Sequence, residues 1–398
     1  MKGEKLEVRS EKLPEGWTIG LLKHFVTVHN GREIVKEVDK FSENAIRVFG
    51  SGGVFKYTDN YLYDGEAVLF GRKGTLGKPI YTEGKFWAVD TMYFLTFKKN
   101  LLAKYCYYML SAFDWQPFIT QTALPSVVAS EIVAQKFPIP PLTSQLSLLT
   151  FLDRKCAEID ELAALQETMI EELKRYKQSL ITETVTGKWK IENGKGKTGK
   201  WKVENGKLKD SGVELIGEIP ERWEVRKIKT MATLKSGNNL TTNDFLEGED
   251  GYPVYGGNGF RGYYSQYSND GDFVLIGRQG ALCGNINYAH GKFWATDHAV
   301  VCYPKCEFVL TWFGESLRAM NLNQYSLSSA QPGLSVDRIR ELYMVVPPLS
   351  EQQQIADFLD RKCAEIDELI AIKQQKIEAL KEYKKSVIFE YVTGKKEV

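Results

Sequence analysis

The feature of this sequence that most limits its fold is an internal duplication. The stretch FLDRKCAEIDEL occupies residues 151–162 and returns unchanged at residues 358–369. A long repeat predicts two copies of one structural unit, each of roughly 200 residues, rather than a single large core. Three further pairs of segments match in the same order: LPEGWTIGLLKHF (13–25) with IPERWEVRKIKTM (219–231), VLFGRKGTLG (68–77) with VLIGRQGALC (274–283), and GKFWAVD (84–90) with GKFWATD (291–297).

Within each copy the pattern changes at a double proline, Pro140-Pro141 and then Pro347-Pro348. Before it, short apolar and aromatic runs are separated by Gly, Asn and Asp, which favours strands joined by turns. After it, apolar residues recur at steps of three and four, which predicts a helix of about 40 residues, roughly 60 Å long. A helix of that length with one apolar stripe needs a partner, and the other copy supplies one. The predicted seam of the first helix contains Leu142, Leu146, Leu149, Leu152, Cys156, Ile159, Leu162, Leu165, Met169, Leu173, Tyr176 and Leu180.

The two predicted helices also carry start and stop signals. Thr143 is placed to cap the first helix, and Ser350 with Gln353 has the spacing of a capping box in the second. Gly187 and Gly394 stand where a glycine commonly ends a helix. Each helix is therefore expected to begin just after the double proline and to end at its glycine.

The fold class that follows is α+β: two β-rich α/β domains, each followed by a long helix, with pseudo-two-fold symmetry. The segment between the copies holds eight lysines against three acids, and it repeats KWKIENGK as KWKVENGK. It is expected to be a basic linker, a contact to the DNA backbone or a spacing element. The expected boundaries are 1–140 for the first domain, 141–187 for its helix, 188–212 for the linker, 213–347 for the second domain and 348–398 for its helix.

Composition excludes several classes of protein. The formal net charge is only +1, so any attraction to nucleic acid must be local or come from a partner. No apolar run approaches the length of a membrane span, and the first residues lack the apolar core of a signal peptide. A cytoplasmic protein that does not bind a membrane is therefore expected. The six cysteines are too sparse for a disulfide framework, and Cys302 and Cys306 near His298 lack the second pair that zinc needs.

Motifs of familiar active sites are incomplete in this chain. Gly196-Lys197-Thr198 resembles the end of a phosphate-binding loop, but Ile191 stands where the first glycine belongs. The four histidines are not accompanied by a nucleophile signature. The sequence therefore offers no catalytic constellation, and no metal or cofactor is expected to be bound by this chain.

The repeated motifs resemble the specificity (S) subunit of type I restriction-modification systems over nearly the whole chain. They are the LPEGW and IPERW openers, the GRKG and GRQG turns, PPLTSQ and PPLSEQQQIADFLD, and the two VTGK endings. The resemblance implies two target-recognition domains that each read one half of a bipartite, asymmetric site in double-stranded DNA. It also implies that the two long helices pack as an antiparallel coiled coil that sets the spacing of the half-sites.

The same resemblance implies protein partners. Two methyltransferase subunits would dock on the helices and methylate adenine, and restriction subunits would join them to cut DNA. S-adenosylmethionine, ATP and Mg are then expected on those partners. A binding protein of another class, directed at protein or glycan, and an enzyme with an unrecognised site remain the alternatives.

Differences between the two copies nominate DNA-reading residues, because the frame repeats while the bases read must differ. Lys73 suits guanine and its counterpart Gln279 suits adenine, although either could be an exposed turn residue. Arg72 and Arg278 recur in both copies, which favours phosphate contact or a structural ion pair. The full candidate set is Ser51, Lys56, Tyr57, Arg72, Lys73, Lys78, Gln121, Thr122, Asn258, Arg261, Tyr263, Arg278, Gln279, Ser328 and Ser329.

Identity in the twelve-residue repeat extends to polar positions that helix packing does not require. Either the duplication is recent, or these residues present one docking surface twice to two copies of a partner. The candidate partner-binding residues are Asp153, Arg154, Glu158, Glu161, Asp360, Arg361, Glu365 and Glu368.

Overall fold

The structure is a computed structural model that describes residues 13–98, 100–188, 207–213, 216–280, 282–326 and 333–398. Its contacts divide the chain into two units. Unit 1 holds Met1–Glu167 and Gln374–Val398, and unit 2 holds Thr168–Lys373. Most of the predicted linker, residues 189–206, lies outside the described residues.

Over its described residues, the β-rich part of unit 1 contains ten strands and two short α-helices, and a long helix follows them. These elements are β1 (Thr18–Leu21), β2 (Val26–Asn30), β3 (Ile46–Gly50), β4 (Gly53–Thr58), β5 (Tyr63–Asp64), β6 (Ala67–Gly71), β7 (Ile80–Thr82), β8 (Lys85–Ala88), β9 (Met92–Phe97), α1 (Ala103–Ser111), α2 (Ala129–Val133), β10 (Lys136–Ile139) and α3 (Leu142–Val185). The strands form two four-stranded sheets, β2-β9-β6-β7 and β4-β3-β8-β5, and the pair β1-β10.

Unit 2 repeats this order after one additional hairpin. Its elements are β11 (Leu208–Asp210), β12 (Glu218–Pro220), β13 (Glu224–Lys227), α4 (Ile228–Met231), β14 (Ala232–Ser236), β15 (Tyr252–Gly256), β16 (Gly259–Tyr264), β17 (Asn269–Asp270), β18 (Phe273–Gly277), β19 (Ile286–Ala289), β20 (Lys292–Ala295), β21 (Ala299–Pro304), α5 (Leu310–Ala319), α6 (Val336–Arg340), β22 (Tyr343–Val346) and α7 (Leu349–Val392). The sheets β14-β21-β18-β19 and β16-β15-β20-β17 and the pair β13-β22 match those of unit 1, so the predicted duplication of the fold is confirmed.

The central strand of each unit is buried on both faces. All five residues of β6, Ala67–Gly71, are buried. Val68 packs into one apolar cluster with helix α1, whereas Leu69 faces a second cluster that includes Phe86. In β18 of unit 2, Val274 and Leu275 likewise pack into two different apolar clusters. Continuous apolar runs such as AVLFG therefore encode a strand with a core on each side.

Each unit holds parts of both long helices, and these parts run in opposite directions. In unit 1 the rings of Phe151 and Tyr391 lie 4.4 Å apart, and Lys384 binds Asp160 at 2.6 Å. In unit 2 the equivalent pair, Lys177 and Asp367, is 2.7 Å apart. A residue further along α3 therefore contacts a residue nearer the start of α7, which confirms the antiparallel pairing.

The predicted seam of the first helix is partly wrong. Leu162, Leu165 and Tyr176 are about half exposed, at 49%, 47% and 50%. The residues turned inward after Leu152 instead follow strict alternating steps of four and three, as a heptad requires. Two successive steps of three, as in 159–162–165, rotate a residue away from that seam. The buried and half-buried seam positions of α3 are Leu152, Cys156, Ile159, Ala163, Gln166, Ile170, Leu173, Lys177, Leu180 and Thr184.

The predicted N-terminal caps are also wrong. The first helical hydrogen bonds run from Gln145 N to Pro141 O and from Gln352 N to Pro348 O, so the second proline of each pair is the N-cap residue and the helices begin at Leu142 and Leu349. Thr143 and Ser350 consequently lie inside the first turn. A proline suits this position because the missing N–H has no intrahelical partner there.

A buried glutamine in that first turn ties each helix to its domain. Gln145 is fully buried; its Oε1 accepts Leu102 N at 2.9 Å, and its Nε2 donates to the carbonyls of Asn100 and Pro140. Gln352 repeats this arrangement with Val309 N and Pro347 O. The glutamine of PPLTSQ and PPLSEQ therefore satisfies backbone groups that would otherwise be buried without a partner.

The predicted glycine ends are confirmed. Gly187 and Gly394 adopt φ of 76° and 71°, a left-handed conformation that favours glycine. A Cβ on Gly187 would lie 2.7 Å from Cδ of Pro220, and a Cβ on Gly394 would lie 2.6 Å from Cδ of Pro14. Each VTGK ending thus packs against the proline of an IPERW or LPEGW opener within its own unit.

Replacement of Gln352 by leucine is expected to lower the free energy of unfolding of the full chain by about 2–3 kcal/mol. The substitution leaves the half-buried Val309 N–H and the buried Pro347 C=O without a partner, and such groups are costly. Urea unfolding followed by circular dichroism measures the change. Gln353→Leu is the matched control, since Gln353 is exposed and its side chain bonds to Asp357 alone among the described residues, and its change should stay within about 0.5 kcal/mol. Equal losses for both variants would contradict this role of Gln352.

Candidate nucleic-acid interface

Three loops of unit 1 meet at one surface, which we call the three-loop surface: residues 50–55, 71–78 and 120–127. Thr75 N donates to Ser51 Oγ at 3.1 Å, which joins the β3–β4 turn to the loop after β6. Val127 N donates to Arg72 O at 3.0 Å and thereby attaches the loop before α2. A Cβ on Gly74 would lie 2.6 Å from Ser51 Oγ, so the GRKG glycine permits this close approach.

Unit 2 brings the corresponding loops together, residues 256–261 and the described residues 277–280, 282–284 and 333–335. A Cβ on Gly277 would lie 2.2 Å from Gly257 O, so only glycine allows these two loops to touch. Leu334 N donates to Arg278 O at 2.9 Å, as Val127 does to Arg72 in unit 1. A cleft of about 390 Å³ opens beside Arg278 and Gln279.

The recurring arginines are fixed mainly through their backbone. Arg72 N donates to Thr91 O and Arg278 N donates to His298 O, both at 2.8 Å. The Arg72 guanidinium lies 5.9 Å from the centre of the Tyr93 ring, and Nη1 of Arg278 donates to Ser236 Oγ at 3.2 Å. Neither side chain forms an ion pair in the described part of the chain. Their charges are therefore available for an anion.

The residues next to these arginines are displayed outward. Lys73 pairs with Ser126 and Gln279 pairs with Gly333 in single β-bridges, and the side chains of Lys73 and Gln279 are both exposed. Asn258 Oδ1 accepts Asn285 Nδ2 at 3.1 Å, which holds the tip of the β15–β16 turn. Equivalent backbone positions thus carry different polar groups in the two units.

Other predicted residues lie on or near the surface with varied surroundings. Lys78, Gln121 and Thr122 are exposed, and Thr122 Oγ1 donates to Leu124 O at 2.9 Å within its own loop. Ser328 and Ser329 lie outside the described residues.

The strands behind the turns hold the remaining candidates. Lys56 binds Glu37 at 2.6 Å, so its charge is already paired. Tyr57 is half-buried in β4, and its carbonyl accepts Val38 N. Tyr263 is half-buried, with its ring centre 5.2 Å from that of Phe260.

Sequence reasoning missed Phe55, which is 55% exposed on β4 beside the hairpin turn. Its neighbour Val54 is also 41% exposed. The signal was available, because two consecutive apolar residues on a strand cannot both face one core.

The candidate partner face on the helices is unequal in the two units. In unit 1 Asp153 binds Lys104 at 2.7 Å and accepts a hydrogen bond from the Tyr108 hydroxyl at 2.7 Å. The equivalent Asp360 has no ion pair among the described residues. Partial burial, with the neighbouring carboxylates of Asp357 and Glu315, raises the pKa of Asp360.

The other predicted partner residues lie on outer helix positions. Glu158 accepts Lys155 at 3.0 Å and lies 3.6 Å from Arg154, whereas Glu365 binds Lys362 at 2.6 Å. Glu161, Arg361 and Glu368 are exposed.

Each unit also exposes an apolar set on its helix segments. Leu162, Leu165 and Tyr383 of unit 1 are 49%, 47% and 50% exposed. The equivalent residues of unit 2 are Leu369, Ile372 and Tyr176, which are 47%, 40% and 50% exposed. Such matched exposed groups are candidates for contact with a partner.

The described residues contain no group of three or more His, Cys, Asp or Glu side chains arranged to hold a metal. None of the helices described is apolar over a stretch long enough to cross a membrane. Cys302, which the sequence placed near a possible zinc ligand set, lies buried in β21, where burial raises the pKa of its thiol.

Known proteins resemble this chain in both sequence and fold. The family model described as type I restriction modification DNA specificity domain matches residues 14–175 and 220–382. The EcoprrI type I specificity subunit of Escherichia coli is 44% identical over 131 residues, which cover 32% of this chain and 33% of that protein. The MjaVIII specificity subunit of Methanocaldococcus jannaschii is 23% identical over 98% of this chain and 95% of its own length.

Solved structures show the same fold at low sequence identity. A chain from a structure described as "Structural basis underlying complex assembly and conformational transition of the type I R-M system" aligns with a TM-score of 0.68 at 13% identity, over 96% of this chain and 98% of that chain. The HsdS subunit from Thermoanaerobacter tengcongensis aligns with a TM-score of 0.50 at 13% identity, over 97% and 98%.

The local matches with the first relatives are shorter than those proteins. The chain spans about a third of the length of the Escherichia coli relative that it matches. The family model, in contrast, covers most of both copies of the repeat. This chain therefore belongs to the family of type I restriction-modification DNA specificity subunits, as its paired motifs indicated.

Proposed function

We propose that each unit of this DNA specificity subunit reads one half of a bipartite, asymmetric site in double-stranded DNA. The observation that carries the proposal is the three-loop surface, which recurs in both units on the same backbone hydrogen bonds. Arg72 and Arg278 would contact phosphates and set the register, because both occupy the same position with an unpaired charge. Sequence would be read by the residues that differ.

The exposed side chains after the arginines have different preferences for bases. Lys73 donates hydrogen bonds, which suits O6 and N7 of guanine, whereas Gln279 can both donate to N7 and accept from N6 of adenine. Since the backbone positions are equivalent, the two half-sites are expected to differ in sequence and to form a non-palindromic motif. The expected boundaries of the two recognition domains, 1–140 and 213–347, belong to this proposal.

We further propose that the two helices dock two methyltransferase subunits and fix the distance between the half-sites. Support comes from the exposed apolar sets, which recur at equivalent positions in the two units. Equivalent surfaces can bind two copies of one partner. The solved relative from a structure described as showing type I R-M complex assembly is consistent with such docking.

Specificity subunits of this family are typically non-catalytic, so the chemistry is assigned to the partners. Methylation of adenine with S-adenosylmethionine would belong to the methyltransferase subunits. ATP- and Mg-dependent cleavage would belong to restriction subunits that join the complex. This chain contributes the choice of DNA sequence and the frame that holds the partners.

Exchange of residues 14–140 for the equivalent segment of a related subunit is expected to change one half of the methylated motif and to leave the other half unchanged. The reason is that each three-loop surface is built within one unit. Genome-wide mapping of methylated adenines, with and without the exchanged gene, measures both halves. The reciprocal exchange of 213–347 is the control and should alter only the other half. Loss of both half-sites in a folded chimera would contradict separate reading.

The double variant Leu165→Glu with Ile372→Glu is expected to weaken methyltransferase binding about tenfold or more. Carboxylates at these half-exposed positions would be buried without a partner at an apolar contact. Native mass spectrometry of the co-expressed complex counts the subunits, and titration gives the affinity. Glu171→Lys with Glu378→Lys is the matched control, because both glutamates lie on the same helices and are exposed. Unchanged affinity of the Leu165→Glu, Ile372→Glu variant for the methyltransferase would refute docking at this face.

Charge reversal at Arg154 together with Arg361 separates the two explanations of the identical twelve-residue stretch. If its polar face is used for docking, the double variant is expected to form a weaker complex in the same mass measurement. Full assembly would favour recent duplication as the cause of the identity.

A further inference from the structure

The hairpins of the two three-loop surfaces have the same register but carry different side chains at one position. Pairing of β3 with β4 ends at Gly50 opposite Gly53, with an irregularity between Val48 and Phe49. Pairing of β15 with β16 ends at Gly256 opposite Gly259, with the irregularity between Val254 and Tyr255. Counting from the turn therefore places Phe55 and Arg261 at the same position.

The equivalence extends to packing. A Cβ on Gly50 would lie 3.1 Å from Cε1 of Phe55, and a Cβ on Gly256 would lie 2.5 Å from Cδ of Arg261. In both units the side chain thus rests against the glycine that ends the preceding strand. Two side chains of different chemistry are held by one backbone frame.

Phe55 is poorly covered by its own unit. Its exposure of 55% is accompanied by 41% for Val54 and 73% for Leu124, which belongs to the third loop of the same surface. Several exposed apolar groups on one surface indicate contact with a partner rather than with water. Arg261 in unit 2 is exposed, its guanidinium lies 5.8 Å from the centre of the Phe245 ring, and it has no ion pair among the described residues.

We propose that Phe55 recognises a thymine through its C5-methyl group in the half-site read by unit 1. In the major groove the thymine methyl is the apolar feature, and phenylalanine is a suitable contact for it. Unit 2 presents a guanidinium at this position, which suits a guanine edge or a phosphate, so the two half-sites differ in chemistry here. This assignment rests on the proposed function.

The test replaces each thymine of that half-site in turn by deoxyuridine, which removes only the methyl group. The duplex contains the motif found by methylation mapping, and the protein is the full chain assembled with its methyltransferase subunits. Binding by the wild-type complex is expected to fall about fourfold at one thymine, the loss that corresponds to one buried methyl-sized group. Phe55→Ala is expected to bind the thymine duplex about as weakly as wild type binds the uracil duplex, and to treat both alike. Phe55→Leu keeps an apolar group and is expected to retain part of the preference.

Phe41→Ala is the matched control, since Phe41 is 89% exposed in the loop between β2 and β3, outside the three-loop surface. It is expected to keep the full thymine preference. The assignment is overturned if wild type ignores uracil at every thymine, if the half-site has no thymine, or if Phe55→Ala keeps the preference. A complex that binds the motif no better than a scrambled duplex would instead refute the proposed function itself.

Discussion

The pairing of the two long helices is the interaction on which each unit depends. A helix of 44 residues with a single apolar stripe is not stable alone in water, and in each unit the seam of one helix segment packs against a segment of the other helix. The β-rich domain of unit 1 is attached to both helix segments of that unit. Gln145 joins it to the start of α3, and Tyr105 donates a hydrogen bond to the carbonyl of Val392 near the end of α7. Neither domain is therefore complete without residues that are distant in the sequence.

The repeated motifs and the variable residues have separate physical roles. GRKG and GRQG supply glycines for close loop contact, while the arginine backbone forms hydrogen bonds that do not depend on the neighbouring side chain. Lys73 can thus be replaced by Gln279, and Phe55 by Arg261, without disturbing the frame. The two loop frames can therefore differ in side-chain chemistry while their backbone contacts stay the same.

Identical residues in the two helices do not have identical surroundings. Asp153 is paired with Lys104 and Tyr108, whereas partial burial and the nearby carboxylates of Asp357 and Glu315 raise the pKa of Asp360. Internal contacts therefore do not explain why both positions are aspartate. A shared external partner or a recent duplication remains as the reason, which is why the outer helix positions are the ones to test.

The duplication, a β-rich domain before each long helix, the glycine ends and the family could be predicted from the sequence, because these depend on local pattern and motif spacing. The sequence placed the helix seam only in part: Leu162 and Leu165 are apolar yet exposed, and the half-buried Lys177 and Gln166 are polar. Which of several possible stripes is buried depends on the partner helix, and no local pattern contains that information. The surface that holds Ser51, Arg72 and Val127, and the packing of the Phe55 ring against Gly50, follow from the tertiary structure alone, because strand register and loop contacts join residues far apart in the chain.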